Sequence, residues 1–213
     1  MKISEIFRSI QGESTYAGLP CTFIRTAGCS LRCRYCDTEY ALDQNAGEEM
    51  SLDSIVSAAS NLGLDLVELT GGEPLERPET PELCRILLDK NATVLLETGG
   101  AHPIDSVPPD VIKILDVKTP SSRMESRNRW QNLPLLSPHD EIKFVIGSRE
   151  DFDWSVQVCR DHNLFGRHAI LFSPVFTGKP PLELAQWILA AGIPVRLQLQ
   201  MHKYIWPPDA RGV

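Results

Sequence analysis

Seven short runs rich in Val, Ile and Leu recur along the chain, with amphipathic stretches between several of them, and this alternation constrains the fold more than any other feature. The runs are CTFIRT (21–26), LVELT (66–70), TVLLE (93–97), IKILDV (112–117), EIKFVI (141–146), HAILF (168–172) and PVRLQLQ (194–200). Runs of this kind are typical of parallel strands covered on both faces. Between them, SLDSIVSAASNL (51–62) has apolar residues at helical spacing. PELCRILLDK (81–90) follows Thr80 as an N-cap, with Pro81 at the first helical position. Residues 150–162 and 182–191 read as further helices, the last stopped by Gly192. Strand–helix alternation predicts an α/β fold with a parallel sheet. Seven strands in 213 residues fall short of a closed eight-stranded barrel, which takes ~250 residues. The expected architecture is therefore a partial (open) TIM-like barrel of parallel strands with flanking helices, residues 1–213 forming one domain. The Pro-rich segments around 103–109 and 118–138 are expected as loops.

Unusual residues gather just past these strands. The first run is followed by GCSLRCRYCDT, the second by GGEP and the third by TGG; the fourth ends in DVK, the sixth runs into SPVF and the seventh into QMHKY. In parallel α/β barrels the loops at that end build the active site, so these segments are expected to converge.

Three of the six cysteines crowd into Cys29-Ser-Leu-Arg-Cys33-Arg-Tyr-Cys36, a C-x3-C-x2-C spacing. Three thiolates can hold three irons of a 4Fe–4S cluster and leave the fourth open to a small molecule. Structural zinc asks for four protein ligands, and no second Cys or His pair lies nearby at such a spacing. A zinc site or fortuitously clustered thiols is the bland alternative. Cys21, Cys84 and Cys159 sit in apolar runs and read as small core residues. Composition narrows the classes further. A net charge of −7 argues against a broad basic face for nucleic acid. No run of about 18 apolar residues offers a membrane span. MKISEIFRSIQGES has no long apolar core of a signal peptide, so a reducing cytoplasm is the expected location.

The cysteine triad, with Tyr35 before its third member, resembles the signature of the radical S-adenosylmethionine superfamily. There the open iron is chelated by the amino and carboxylate groups of S-adenosylmethionine. Thr70-Gly71-Gly72-Glu73-Pro74, directly after a strand, is similar to the loop that contacts the cofactor's amino group in that superfamily. Its two glycines let backbone approach a ligand closely. Three further features narrow the resemblance: the opening Ile10-Gln11-Gly12-Glu13-Ser14, the run Cys36-Asp37-Thr38, and the closing Gln200-Met201-His202-Lys203-Tyr204. Together they resemble the 7-carboxy-7-deazaguanine synthase family over nearly the whole chain.

The resemblance implies a reaction. Electron transfer from the reduced cluster to S-adenosylmethionine yields a 5′-deoxyadenosyl radical. That radical abstracts hydrogen from 6-carboxy-5,6,7,8-tetrahydropterin, the ring contracts and ammonia leaves. It also implies sites. Ile10, Gln11, Gly12, Arg25 and Thr70 would contact the pterin, with Glu13, His202 and Pro208 as further candidates. Tyr35, Cys36, Asp37, Gly72, Asp116, Val117, Lys118, Ser173, Pro174, Val175 and Phe176 would contact S-adenosylmethionine. Thr38 would coordinate Mg²⁺, which prefers oxygen ligands and keeps several waters. Arg25 suits a bidentate carboxylate clamp. A reducing partner such as a flavodoxin or ferredoxin and a homodimer are expected as well. Two departures stand out: only about 30 residues separate Thr38 from Thr70, and the chain runs past His202 through YIWPPDARGV. The triad and a GGEP-like loop are shared with small activases that install a glycyl radical on a partner protein, and a non-catalytic zinc or iron–sulfur module remains the other alternative.

Overall fold

The computed structural model describes residues 1–176 and 181–213. Its framework is a nine-stranded sheet: β1 (Lys2–Ile10), β2 (Pro20–Thr26), β3 (Glu48–Glu49), β4 (Leu66–Gly71), β5 (Thr93–Thr98), β6 (Ile112–Val117), β7 (Glu141–Ile146), β8 (Ala169–Pro174) and β9 (Arg196–Leu197), in the order β3-β1-β2-β4-β5-β6-β7-β8-β9. From β2 to β9 each neighbour runs parallel, whereas β1 is antiparallel to β2 and β3 antiparallel to β1. Among the described residues β3 and β9 stay unpaired on their outer sides, so the barrel is open. Helices α1 (Leu52–Leu62), α2 (Thr80–Asp89), α3 (Arg149–Asp161) and α4 (Pro181–Ala191) follow β3, β4, β7 and β8, and α5 (His202–Ile205) ends the fold.

The period of two along each strand divides the sheet into two faces. Ile24, Leu69, Leu96, Ile142 and Phe144 point outward and form one core with Ile55 and Ala59 of α1, Leu83 and Leu87 of α2, and Phe152 of α3. Burying each of these large side chains contributes roughly 1.5–3 kcal/mol. The opposite face carries two layers. Toward the start of the strands Cys21, Phe23, Leu66, Leu95, Ile112 and Ile114 close an apolar floor. Toward the strand ends, the same parity brings up Arg25, Glu68, Thr70, Glu97, Asp116 and Lys143. The charged layer therefore sits where the loops converge.

The seven expected strands all form, but the last shrinks to Arg196–Leu197. Beyond it the chain leaves the sheet edge to bond elsewhere, with Met201 N–H donating to Gly12 O at 3.0 Å. Two strands were not foreseen. KISEIFRSI forms β1 at the antiparallel side, where a strand half-exposed on both faces needs no continuous apolar run. β3 is a two-residue edge pair. Thr80 is the first residue of α2 rather than its cap, because its hydroxyl bonds Pro74 O at 2.6 Å. The segment expected as loop around 118–138 winds into short 3-10 turns, at Pro120–Ser122, Glu125–Arg127 and Trp130–Leu135.

Candidate active site

The cysteine loop leaves the end of β2 and is held by backbone bonds to the segment that follows it. Gly28 N–H donates to Ala41 O at 2.8 Å, and Cys29 N–H to Leu42 O at 3.2 Å. Tyr35 Oη meets Thr119 Oγ1 at 3.0 Å, which fastens the loop to the turn after β6. Cys29, Cys33 and Cys36 all border one cavity of about 790 Å³. Burial pushes the three thiols up, Cys29 to about 11, while the Lys118 ammonium works in the opposite direction. Iron would displace those protons, since thiolate is the ligand form. Among the described residues no three Cys, His, Asp or Glu side chains converge on one ion position. A cubane needs no such convergence, because each thiolate takes a different iron. This donor set therefore fits a 4Fe–4S cluster with one open iron.

The adjoining wall is built by the ends of β4, β5 and β6. Gly72 lies so close to Gly28 O that a Cβ would collide with it, and its N–H bonds Thr26 O at 3.1 Å. Glu73, next in the GGEP loop, has no freedom to meet a ligand. Its carboxylate accepts from Thr98 Oγ1 (2.7 Å), Gly99 N–H (2.8 Å) and Leu75 N–H (3.0 Å), tying the loop after β4 to the one after β5. After β6, Asn128 clasps the Lys118 backbone through two 2.8 Å bonds. Lys118 Nζ pairs with Asp116 Oδ2 at 3.0 Å. Among the described residues Asp116 Oδ1 is buried without a hydrogen-bond partner, an acceptor left over for a hydroxyl-bearing ligand.

Opposite the cysteines, register explains the wall. Phe7 stands across from Phe23, and Glu5 across from Arg25. The Phe rings stack at 5.0 Å, and Arg25 Nε donates to Glu5 Oε1 at 2.7 Å, with Tyr40 Oη on the same oxygen at 2.7 Å. The guanidinium lies between the Phe7 and Tyr40 rings, 5.8 and 6.0 Å from their centroids. Among the described residues its terminal nitrogens make no hydrogen bond, so the fork remains free beside the cavity. Below, Lys143 Nζ meets Glu13 Oε2 at 2.5 Å and Glu97 Oε1 at 2.7 Å, with Asp116 Oδ2 at 4.0 Å. Burial alone would lower the Lys143 pKa, but the three carboxylates hold it well above its ordinary value. Gln11 Nε2 donates to Glu68 Oε2, and Thr70 Oγ1 donates to Glu97 Oε2 at 3.3 Å.

The C-terminal segment closes the mouth. Gly12 is backed directly by His202, where a Cβ would collide with the imidazole. Burial pushes His202 below its ordinary pKa, so the ring is neutral at pH 7. Asp37 accepts from Lys203 Nζ (2.7 Å) and Gln200 Nε2 (2.8 Å). Burial would raise its pKa, yet the Lys203 ammonium overrides that and holds the carboxyl well below the usual range. Thr38 precedes a 3-10 turn but caps nothing; its hydroxyl donates to Asp37 Oδ1 at 3.1 Å.

The cavity thus brings together Ile10, Gln11, Gly12, Glu13, Arg25, Tyr35, Asp37, Thr38, Thr70, Gly72, Asp116, Lys118, Val175, Phe176, His202 and Pro208 with the three cysteines. Three expected positions lie elsewhere. Val117, one residue past Asp116, takes the opposite parity and packs in the helix-side core. Ser173 is sealed at 1% exposure. Pro174 borders a small depression with Leu199 and Tyr204, which adjoins the cavity at Val175, Phe176 and Gln200. The C-terminal segment covers this strand end, Gln198 N–H bonding Phe172 O at 2.9 Å. The sequence reading assigned no role to Glu68, Glu97 or Lys143. The available signal was a charged side chain inside an otherwise apolar strand.

Comparison with known proteins shows the family. The profile described as the Radical SAM superfamily matches residues 23–188. The 7-carboxy-7-deazaguanine synthase of Chlorobaculum tepidum is 47% identical over 216 residues, covering 100% of this chain and 97% of its own. That of Koribacter versatilis is 44% identical, covering 100% of both chains. That of Methanospirillum hungatei is 39% identical, covering 98% of this chain and 86% of its own. The crystal structure of QueE from Escherichia coli superposes with a TM-score of 0.75 at 22% identity, covering 94% of each chain, a likeness of fold. The chain belongs to the radical SAM superfamily and, within it, to the 7-carboxy-7-deazaguanine synthase family.

Proposed function

We propose that this enzyme converts 6-carboxy-5,6,7,8-tetrahydropterin to 7-carboxy-7-deazaguanine with loss of ammonia, a step of queuosine and 7-deazapurine biosynthesis. One observation carries the reading: a cavity of about 790 Å³ has the cluster cysteines on one side and the free Arg25 fork on another. That volume lies in the ordinary range for small-molecule sites. A 4Fe–4S cluster with S-adenosylmethionine on its open iron supplies the hydrogen-atom abstraction. The chain's own residues do the rest. The Arg25 fork, its Nε anchored by Glu5, holds the substrate carboxylate in one orientation. Phe7 and Phe23 give the flat ring an apolar wall and keep water out. Gly12 N–H, without a partner among the described residues, faces the ring edge beside neutral His202. Asp116 Oδ1 accepts from the nucleoside part of S-adenosylmethionine.

Thr38 is the protein ligand we assign to Mg²⁺, completed by waters and substrate oxygens; its hydroxyl is free of capping duty, which supports the assignment. A reducing partner is part of the reading. Arg32, Arg34, Arg123 and Arg127 are exposed around the cluster loop and the segment it bonds, where Arg34 N–H meets Ser122 O at 3.1 Å and Arg32 N–H meets Met124 Sδ at 3.4 Å. On a chain of net charge −7 this basic collar suits an acidic electron carrier such as a flavodoxin or ferredoxin. Exposed Leu182 and Leu189 on α4 and Leu197 on β9 offer an apolar edge for a homodimer. No helix among the described residues is long and apolar enough to cross a membrane, and all six cysteines are free thiols, which favours a reducing cytoplasm.

The test is an anaerobic reaction with reconstituted cluster, S-adenosylmethionine, Mg²⁺ and the carboxytetrahydropterin. Formation of the deazaguanine chromophore with 5′-deoxyadenosine is the expected result. Cofactor cleavage with no pterin binding would favour a glycyl-radical activase, and a colourless zinc protein would exclude radical chemistry.

A further inference from the structure

Glu68 has no part in the function proposed above. It is 4% exposed on β4, opposite Phe23 of β2 and Leu95 of β5, and borders the cavity where the charged layer meets the apolar floor. Its Oε2 accepts from Gln11 Nε2; among the described residues its Oε1 makes no hydrogen bond. Most of Gln11's bonding is spent within the protein, one Nε2 hydrogen being left over among the described residues. Its Oε1 accepts from Glu13 N–H at 3.0 Å, its own N–H donates to Leu19 O at 2.8 Å, and its carbonyl accepts from Gly18 N–H at 2.8 Å. Gln11 therefore cannot turn its amide to a ligand without breaking the first loop. Beside that amide, this corner of the floor offers Glu68 Oε1.

We propose that Glu68 is a further substrate-contacting residue, which reads the bicyclic heterocycle from the floor through the carboxyl oxygen that Gln11 leaves free. The inference rests on the ring-contraction reading, which supplies a ligand edged with carbonyl, amino and ring N–H groups. The charges that face Glu68 decide what it presents. Glu97 of β5, Glu13 of the first loop and Lys143 of β7 surround it, with the Cys21 thiol of β2 and the Gln11 amide beside it. Burial first, then Glu97 and Glu13, push its pKa well above the carboxylate range, against the pull of Gln11 and Lys143. The protonated form is the one this surrounding favours. With Oε2 accepting from Gln11, that proton sits on Oε1, and Glu68 donates to a carbonyl oxygen or unprotonated ring nitrogen of the substrate. A donor left unmet under a bound ligand on this buried floor is costly, so a heterocycle without an acceptor there is rejected.

The experiment is an anaerobic titration of 6-carboxy-5,6,7,8-tetrahydropterin into cluster-loaded enzyme with S-adenosylmethionine, for wild type, Glu68→Gln and Glu68→Leu, across pH. Cluster iron content and substrate-free 5′-deoxyadenosine formation report folding. Glu68→Gln keeps a donor of the same shape, and binding within about threefold of wild type at neutral pH is expected. Glu68→Leu should weaken binding by about tenfold. Wild-type binding should weaken as pH rises and Glu68 ionises, whereas Glu68→Gln should lose that extra weakening; titrations of the ligand itself are common to both. Wild-type affinity in Glu68→Leu, or the same alkaline weakening in Glu68→Gln, overturns the role. If Glu68→Leu loses its cluster, the pH comparison with Glu68→Gln still decides. Wild type that binds no pterin overturns the ring-contraction reading and this role with it.

Discussion

Lys143 Nζ stands 2.5 Å from Glu13 Oε2, a buried ion pair that ties the loop after β1 to the middle of β7. The same ammonium lies 2.7 Å from Glu97 Oε1, so one cation serves two carboxylates in the dry part of the cavity. Lys143→Met leaves both without a counter-charge. A loss of roughly 3–5 kcal/mol in unfolding free energy is expected, read by denaturant unfolding. Adding Glu97→Gln should recover part of the loss, because the two residues share one network. An unchanged midpoint in the single variant would remove this network from the fold's stability.

Arg25 is expected to separate substrate orientation from cofactor cleavage. Arg25→Lys keeps a charge but loses the fork and the Nε bond to Glu5. Deazaguanine formation should fall by about 10²-fold, since a small misplacement of the reacting ring is costly in rate. Substrate-free 5′-deoxyadenosine formation should persist. Both products come from the same anaerobic reaction, and their equal loss would place Arg25 in the cofactor site or the fold.

Each of Cys29→Ser, Cys33→Ser and Cys36→Ser should abolish cluster retention and turnover, because each removes one of three thiolates. Cys84→Ser should leave the iron content intact, since Cys84 is fully buried in α2 among core residues. Iron analysis and the visible absorption of the reconstituted proteins decide the matter.

Turnover should rise with Mg²⁺, and Thr38→Ala should blunt that response. The Thr38 hydroxyl touches only Asp37 among the described residues, so its removal costs little structure. Activity indifferent to chelation and re-addition of Mg²⁺ would refute the assignment.

The arginine collar is tested by changing the electron source. Arg123→Glu with Arg127→Glu should lower turnover driven by a flavodoxin or ferredoxin by about tenfold, and added salt should slow the wild type in the same direction. Turnover driven by a small chemical reductant should be unaffected. Equal rates with the protein carrier for both enzymes would place docking elsewhere.

The sequence by itself determined the parallel α/β framework and most of the site's positions. Apolar runs of strand length cannot be left exposed, and C-x3-C-x2-C and GGEP each follow a parallel strand, so a barrel-like sheet gathers them at one end. It did not determine β1, whose mixed pattern in KISEIFRSI becomes a strand only because β2 offers an antiparallel edge. It did not separate Asp116 from Val117, one residue apart, because only the sheet's parity turns one to the cavity and the other to the helices. Nor did it single out Lys143, Glu97 and Glu68. A charged residue in an apolar strand has no meaning until the sheet curls and brings its partners, from β4, β5, β7 and the first loop, within hydrogen-bond reach. Contacts that span 46 to 130 residues of chain are absent from any local pattern and are set by tertiary structure alone.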